Sequence, residues 1–413
     1  MPADLRKLLA ASVVACVVAC TRTADQPVET GDITAIDAPA GPNSGEPNLA
    51  VDGAGRVHLS WLERNADSSV SLRLAVRDNG QWSTPVTVTT GRDLFVNWAD
   101  FPSVFVAPSG RIVMHWLQRQ PGGKYSYGVR VSQSTDGGAS WSDPKQLHDD
   151  QGAGEHGFVS FFAADGDSVE AIWLDGRATG GEGHEGHHGS MQLGNGRIAA
   201  DGGITPSVMV DDRICDCCQT SAAVTARGPV VVYRDRSAEE IRDIAIVRRV
   251  NGKWTEPTRV HADDWHIEGC PVNGPSVVAD GDNVAVAWFT GARDTAKVNI
   301  AFSKDAGATF SAPVRVDDGQ PAGRVDVEFD GDGRAMVTWL ERVGQEGAEV
   351  RLRAIAPDGV RGEAMVVANS AAARSSGFPR VVRSGDELIF AWTQPGDTAR
   401  VRMASTRLTT GQR

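Results

Sequence analysis

Three cysteines fall within four positions of "DRICDCCQTS" (212–221): Cys215, Cys217 and Cys218. A fourth, Cys270, lies in "WHIEGCPVNGP", four residues after His266. Two chemistries fit. In an oxidising compartment such thiols pair by default. A bridge from Cys217 or Cys218 to Cys270 would close a loop of about 54 residues, stabilising by roughly 4 kcal/mol through chain entropy. The two cysteines left over are too close in sequence to bridge without strain. That difficulty keeps the other chemistry open, in which three or four thiolates and His266 hold zinc or Cu(I). The fold itself calls for no cofactor, so the metal stands as the alternative to the disulfide.

The densest charged stretch is "VYRDRSAEEIRDI", with Tyr233, Arg234, Asp235, Arg236, Arg242 and Asp243 in one short segment. Guanidinium groups grip carboxylates and phosphates bidentately. Neighbouring carboxylates serve as acid, base or orienting group, and a tyrosine can serve as nucleophile. Arg293 and Asp294 occupy the equivalent stretch one repeat later. These eight residues are the catalytic candidates. The competing reading is a self-satisfied salt-bridge network, since the charges nearly balance. "GHEGHHG" adds His184, Glu185, His187 and His188, a tract that either binds divalent metal loosely or is a solvated insertion.

The elements that must position these residues recur along the chain. A strand, an Asp/Gly turn and a second strand ending in an aromatic residue repeat seven times, as in "EPNLAVDGAGRVHLSWLER" and "GPSVVADGDNVAVAWFTG". The aromatic anchors are Trp61, Trp116, Trp173, Tyr233, Trp288, Trp339 and Trp392, spaced 51 to 60 residues apart. Strands alternate apolar and polar residues, and that period with short strands marks propeller blades. Stacked in a ring, blades bury faces that none of them buries alone. The spacing predicts an all-β, seven-bladed propeller of four-stranded antiparallel blades over 32–410. The last repeat stops at its third strand. "DITAIDAP", near Ile33 to Ala38, is expected to supply the fourth and close the ring.

Ahead of the repeats stand Arg6, Lys7 and the apolar run "LLAASVVACVVA". They predict a signal peptide over 1–19. Its end, "VVAC", resembles the lipobox of bacterial lipoproteins, which would make Cys20 the lipidated first residue. Residues 20–31 read as a flexible tether. The expected location is the bacterial cell envelope, periplasmic or outer-surface, on a lipid anchor. A net charge of −12 argues against nucleic acid, whose binders carry a basic stripe. A monomer with a glycan or cell-envelope partner is expected.

Two turns carry a named motif. "STDGGASW" (Ser134 to Trp141) and "SKDAGATF" (Ser303 to Phe310) resemble the Asp box, S-x-D-x-G-x-x-[WF], with Asp136 and Asp305 capping the turns. The chain therefore resembles the sialidase-like, BNR-repeat superfamily of β-propellers. The resemblance implies Asp boxes on one face and the ligand site on the other. It also implies an exo-glycosidase or glycan-binding role. Sialidases proper have six blades and an R-I-P arginine motif; here the matching stretch is "GEPNLAV" (Gly45 to Val51), without arginine. Sorting loops by face places the cysteines, the "RDR" loop and "FTGARDTAK" together, opposite the Asp boxes.

Overall fold

The computed structural model describes residues 31–179 and 189–408. The signal peptide, Cys20, nearly all of the tether and His184, Glu185, His187 and His188 lie outside those residues. Seven antiparallel sheets make up the fold, one per aromatic anchor, rather than the six of sialidases proper. The blades begin with the strands Ser44–Val51, Val104–Val106, His156–Ala163, Ser221–Thr225, Ser276–Asp280, Pro321–Phe329 and Arg380–Ser384. The ring closes as expected: Thr34–Ile36 pairs antiparallel with Arg400–Arg407, with Ala35 opposite Ala404. Among the described residues no helix is long and apolar enough to cross a membrane.

All seven anchors are buried, Trp61, Trp173, Tyr233 and Trp339 fully. They sit in clusters that join neighbouring blades, such as Trp339 with Ala285 and Ile300. Their polar ends are satisfied by a local device. The indole N–H of Trp61, Trp173, Trp339 and Trp392 donates to Glu63, Asp175, Glu341 and Gln394, each two residues on. Residues i and i+2 share one face of a strand, so W-x-[DEQ] supplies anchor and acceptor together.

The inner strands surround a central cavity of about 260 Å³ lined from all seven blades, including Asn48, Ser103, Ser160, Ser276 and Asp326. Short turns occupy one end of the ring. In the Asp boxes, Asp136 Oδ1 accepts the Ser140 N–H at 2.9 Å, and Asp305 Oδ1 accepts the Thr309 N–H at 2.9 Å. Gly138 and Gly307 take φ of 94° and 78°, a region open to glycine.

These turns carry a pH-dependent prediction. Hydrogen bonds, led by the one from the Thr309 hydroxyl, hold the Asp305 carboxyl down at about 2. A depressed folded value stabilises above the unfolded value near 3.8 and is lost as pH falls through about 2. Asp305→Ala should therefore lower the melting temperature at pH 7 and lose that deficit as acid approaches pH 2. A deficit constant across that range would contradict the turn assignment.

Candidate functional site

Three backbone segments run side by side on the face opposite the Asp boxes. The segment holding Ile214 and Cys215 pairs with the exit of blade four's second strand: Ile214 bridges Asp235, and the Cys215 N–H donates to Arg234 O at 3.0 Å. The third segment joins across the charged loop, with Ile241 opposite His266 and the Arg242 N–H donating to Trp265 O at 2.9 Å. Gly274 is required here, because a Cβ would meet Gln219 O at 2.1 Å. Val272, between Cys270 and that glycine, takes φ 49°. For a β-branched residue such a backbone costs on the order of 1–3 kcal/mol. It packs against the cysteines.

This arrangement brings three thiols together, with the fourth on the adjacent segment. The ligand atoms of Cys215, Cys217 and Cys218 lie within 4.8 Å of one another, and all three residues are buried. Cys270 comes in from the third segment, near enough to Cys215 and Cys217 for them to act on its pKa, and its sulfur stands outside the group of three. All four are free thiols, Cys270 exposed. The Cys215–Cys218 sulfur separation is 3.4 Å, well beyond a bond of about 2.05 Å. His266 is exposed and held by its backbone bridge, outside the converging sulfurs.

The thiols differ in ionisation. Burial pushes Cys215 up, but hydrogen bonds from Cys217, Cys218 and Cys270 and the Arg242 charge outweigh it and bring it well below the ordinary thiol value. Arg242 Nη1 lies 3.4 Å from Cys215 Sγ. Burial, with the Cys215 thiolate beside it, pushes Cys218 up to about 12. Cys215 is thus the thiol of the cluster most readily ionised.

The charged loop is largely consumed by the protein. Arg234 is 2% exposed and donates four hydrogen bonds, to Asn273 O twice, Arg242 O and Phe289 O, at 2.6–3.0 Å. It stacks over Trp265 at 4.9 Å. Arg236 and Arg242 share Glu240 and reach Asp216. Asp243 accepts the N–H groups of Asp264 and Trp265. The Tyr233 hydroxyl donates to Asp211 at 2.5 Å, and burial pushes its pKa far up. Asp235 is half-buried, and burial raises its carboxyl to about 6. Arg293 and Asp294 are exposed, both at positive φ.

Two features escape the loop sorting. One is a cavity of about 250 Å³ beside the thiols, walled by Phe95, Trp98, Tyr125, Glu155, Asp216 and Cys217. The other is a set of arginines from blade six and the connection after it. Arg324 is buried, stacks on Trp98 at 4.8 Å and donates to Ala373 O and Gly377 O. Burial first, and then Arg342 and Arg374, lower its pKa to about 10. Arg324 stands in "AGRVD", far from the cysteines in sequence, and only ring closure brings blade six beside Trp98 of blade two's entrance.

Comparison with known proteins fits this geometry. Residues 60–231 match the BNR repeat-like domain. A Dyadobacter fermentans protein of unknown function is 12% identical, with 93% of this chain and 100% of that chain covered and a TM-score of 0.52. The polysaccharide lyase Uly1 is 12% identical, covering 88% and 90%, with a TM-score of 0.51. An ulvan lyase bound to -[GlcA(1-4)Rha3S]- is 13% identical, covering 76% and 79%, with a TM-score of 0.50. No curated protein matches the chain in sequence. With its Asp boxes and its closed ring, the chain folds as a seven-bladed β-propeller, of which residues 60–231 match the BNR repeat-like domain.

Proposed function

We propose that this chain is an exported, lipid-tethered propeller that holds a soft metal ion, zinc or Cu(I), in the thiolates of Cys215, Cys217, Cys218 and Cys270. The observation that carries this reading is the convergence of three buried sulfurs, with the Arg242 guanidinium 3.4 Å from Cys215 Sγ. Thiolate sets select Cu(I) and zinc over harder cations. The Arg242 N–H on sulfur is the kind of outer contact that orients a ligand and tunes its charge. Export is supported by the Arg6–Lys7 leader and tethering by the "VVAC" ending at Cys20. The test is metal content, measured with thiol titre on full-length protein purified without oxygen. About one equivalent of ion, lost in Cys215→Ser, is expected for a single thiolate site. Metal-free protein that takes up neither ion on addition would overturn the reading.

A second reading rests on its own observation. Arg324 stacks on Trp98, which also walls the 250 Å³ cavity, and the charges of Arg342 and Arg374 act on Arg324. Aromatic walls with guanidinium groups suit an acidic glycan, bound or cleaved. The ulvan lyase of similar fold, bound to -[GlcA(1-4)Rha3S]-, supports the same class of ligand. Charged oligosaccharides should bind, and Arg342→Ala with Arg374→Ala should weaken them at least about tenfold, or about 1.4 kcal/mol. Equal affinity for neutral and acidic oligosaccharides would count against it.

A further inference from the structure

The four thiols stand at different depths. Cys215 and Cys218 are 0% and 1% exposed, Cys217 is 8% exposed, and Cys270 is exposed outright. The three buried sulfurs lie within 4.8 Å of one another, and that group does not include Cys270. Cys270 is nonetheless near enough to Cys215 and Cys217 for them to act on its proton affinity. The sulfurs therefore form a graded series from the surface inward: Cys270, then Cys217, then Cys215 and Cys218.

The backbone holds Cys270 at the outer end of that series. Upstream, the Ile267 N–H donates to Glu240 O at 3.0 Å. Downstream, the Gly274 N–H donates to Gln219 Oε1 at 2.9 Å, and Val272 packs on the buried thiols. Between these anchors Glu268, Gly269 and Cys270 are exposed. A Cβ built on Gly269 would meet nothing within 4 Å. The span has fixed ends and open space around its middle, so rotation within it can carry the Cys270 sulfur toward Cys217 without parting the three segments.

Chemistry separates the roles. A structural zinc site is closed by four protein ligands. The buried group has three, with His266 and Cys270 outside it. Cu(I) needs fewer sulfurs than zinc and is selected by thiolates. Three thiolates and one Cu(I) carry net negative charge, which the Arg242 guanidinium, 3.4 Å from Cys215 Sγ, offsets inside the protein. A bare charge entering a buried site is costly. An outlying thiolate that binds first, at the surface, removes that cost.

Resting on the thiolate reading above, we propose that Cys270 is the entry ligand, which takes Cu(I) from an external donor and passes it to Cys217, Cys215 and Cys218. The four sulfurs thus divide into one that receives and three that hold. The exchange needs no oxidant. Cys270 gives up its proton as its sulfur–copper bond forms and the donor's ligand leaves. Cys217 then binds, the Cys270–copper bond breaks, and Cys270 takes back the proton that the incoming thiol gives up. Copper stays Cu(I) throughout.

The test compares the full-length reduced protein with its Cys270→Ser variant, without oxygen. Copper is offered as its coloured Cu(I) complex with bicinchoninate, and the loss of colour is followed by stopped flow. Cys270→Ser is expected to reach the wild-type copper content at least about tenfold more slowly, since exchange at thiols is governed by access. Release to excess bicinchoninate should slow by the same factor, because one step serves both directions and the affinity is unchanged. Equal rates in the two proteins would overturn the proposal and put entry at the cavity beside Cys217. A lower final content in Cys270→Ser would overturn it too, making Cys270 a ligand of the held ion. Wild-type protein that takes no copper would overturn the thiolate reading, and this proposal with it.

Discussion

Arg234→Met should lower the unfolding free energy by about 4 kcal/mol. The guanidinium is 2% exposed, and all four of its hydrogen bonds go to backbone carbonyls. Methionine keeps much of the apolar stem over Trp265 but donates nothing. Three carbonyls, of Asn273, Arg242 and Phe289, would be left short of a donor, at about 1–3 kcal/mol each. Part of that is recovered because the charge no longer needs burying. Asn273 and Phe289 belong to the entrance and second strand of blade five, so Arg234 ties blade four to its neighbour. Urea unfolding measures the effect. Unchanged stability with a lost ligand affinity would return Arg234 to the list of binding residues.

Arg242→Met is expected to act differently. It removes the cation beside the Cys215 sulfur and one of two guanidiniums on Glu240. Breaking a buried charge pair costs about 3–5 kcal/mol. The low end applies, because Cys215 can take up a proton and Glu240 keeps Arg236. The clearer signature is chemical. Cys215 should lose its thiolate character at pH 7, and the reaction of the cluster with a small alkylating agent should slow by at least about tenfold. Reactivity equal to wild type would mean that the neighbouring thiols alone hold the anion.

These effects bear on what the sequence made legible. The ring of blades was readable because its determinants are local and repeated. An aromatic anchor at the end of a second strand recurs every 51 to 60 residues, and strand alternation needs no distant partner. The Asp boxes were readable for the same reason, since Ser134, Asp136 and Ser140 bond within one turn. Closure by Thr34–Ile36 followed from counting strands in the last repeat.

The site was only half legible. Topology alone put Cys270 on a connection adjacent to Cys215, and the structure runs the two segments side by side without a bridge between their sulfurs. It did not say which arginines would turn inward. Arg234 and Arg236 are two residues apart, yet one bonds only backbone carbonyls and the other only carboxylates. Their fates depend on where Asn273 and Asp216 arrive. Arg324 reaches Trp98 only across the ring.

The central claim is that the four cysteines form a metal site rather than a pair of bridges. Its most direct test is zinc K-edge X-ray absorption on the full-length chain loaded with one equivalent of zinc. A shell of three or four sulfurs at about 2.3 Å is expected. A shell of nitrogen and oxygen alone at about 2.0–2.1 Å, with the four thiols unreactive as disulfides, would contradict it.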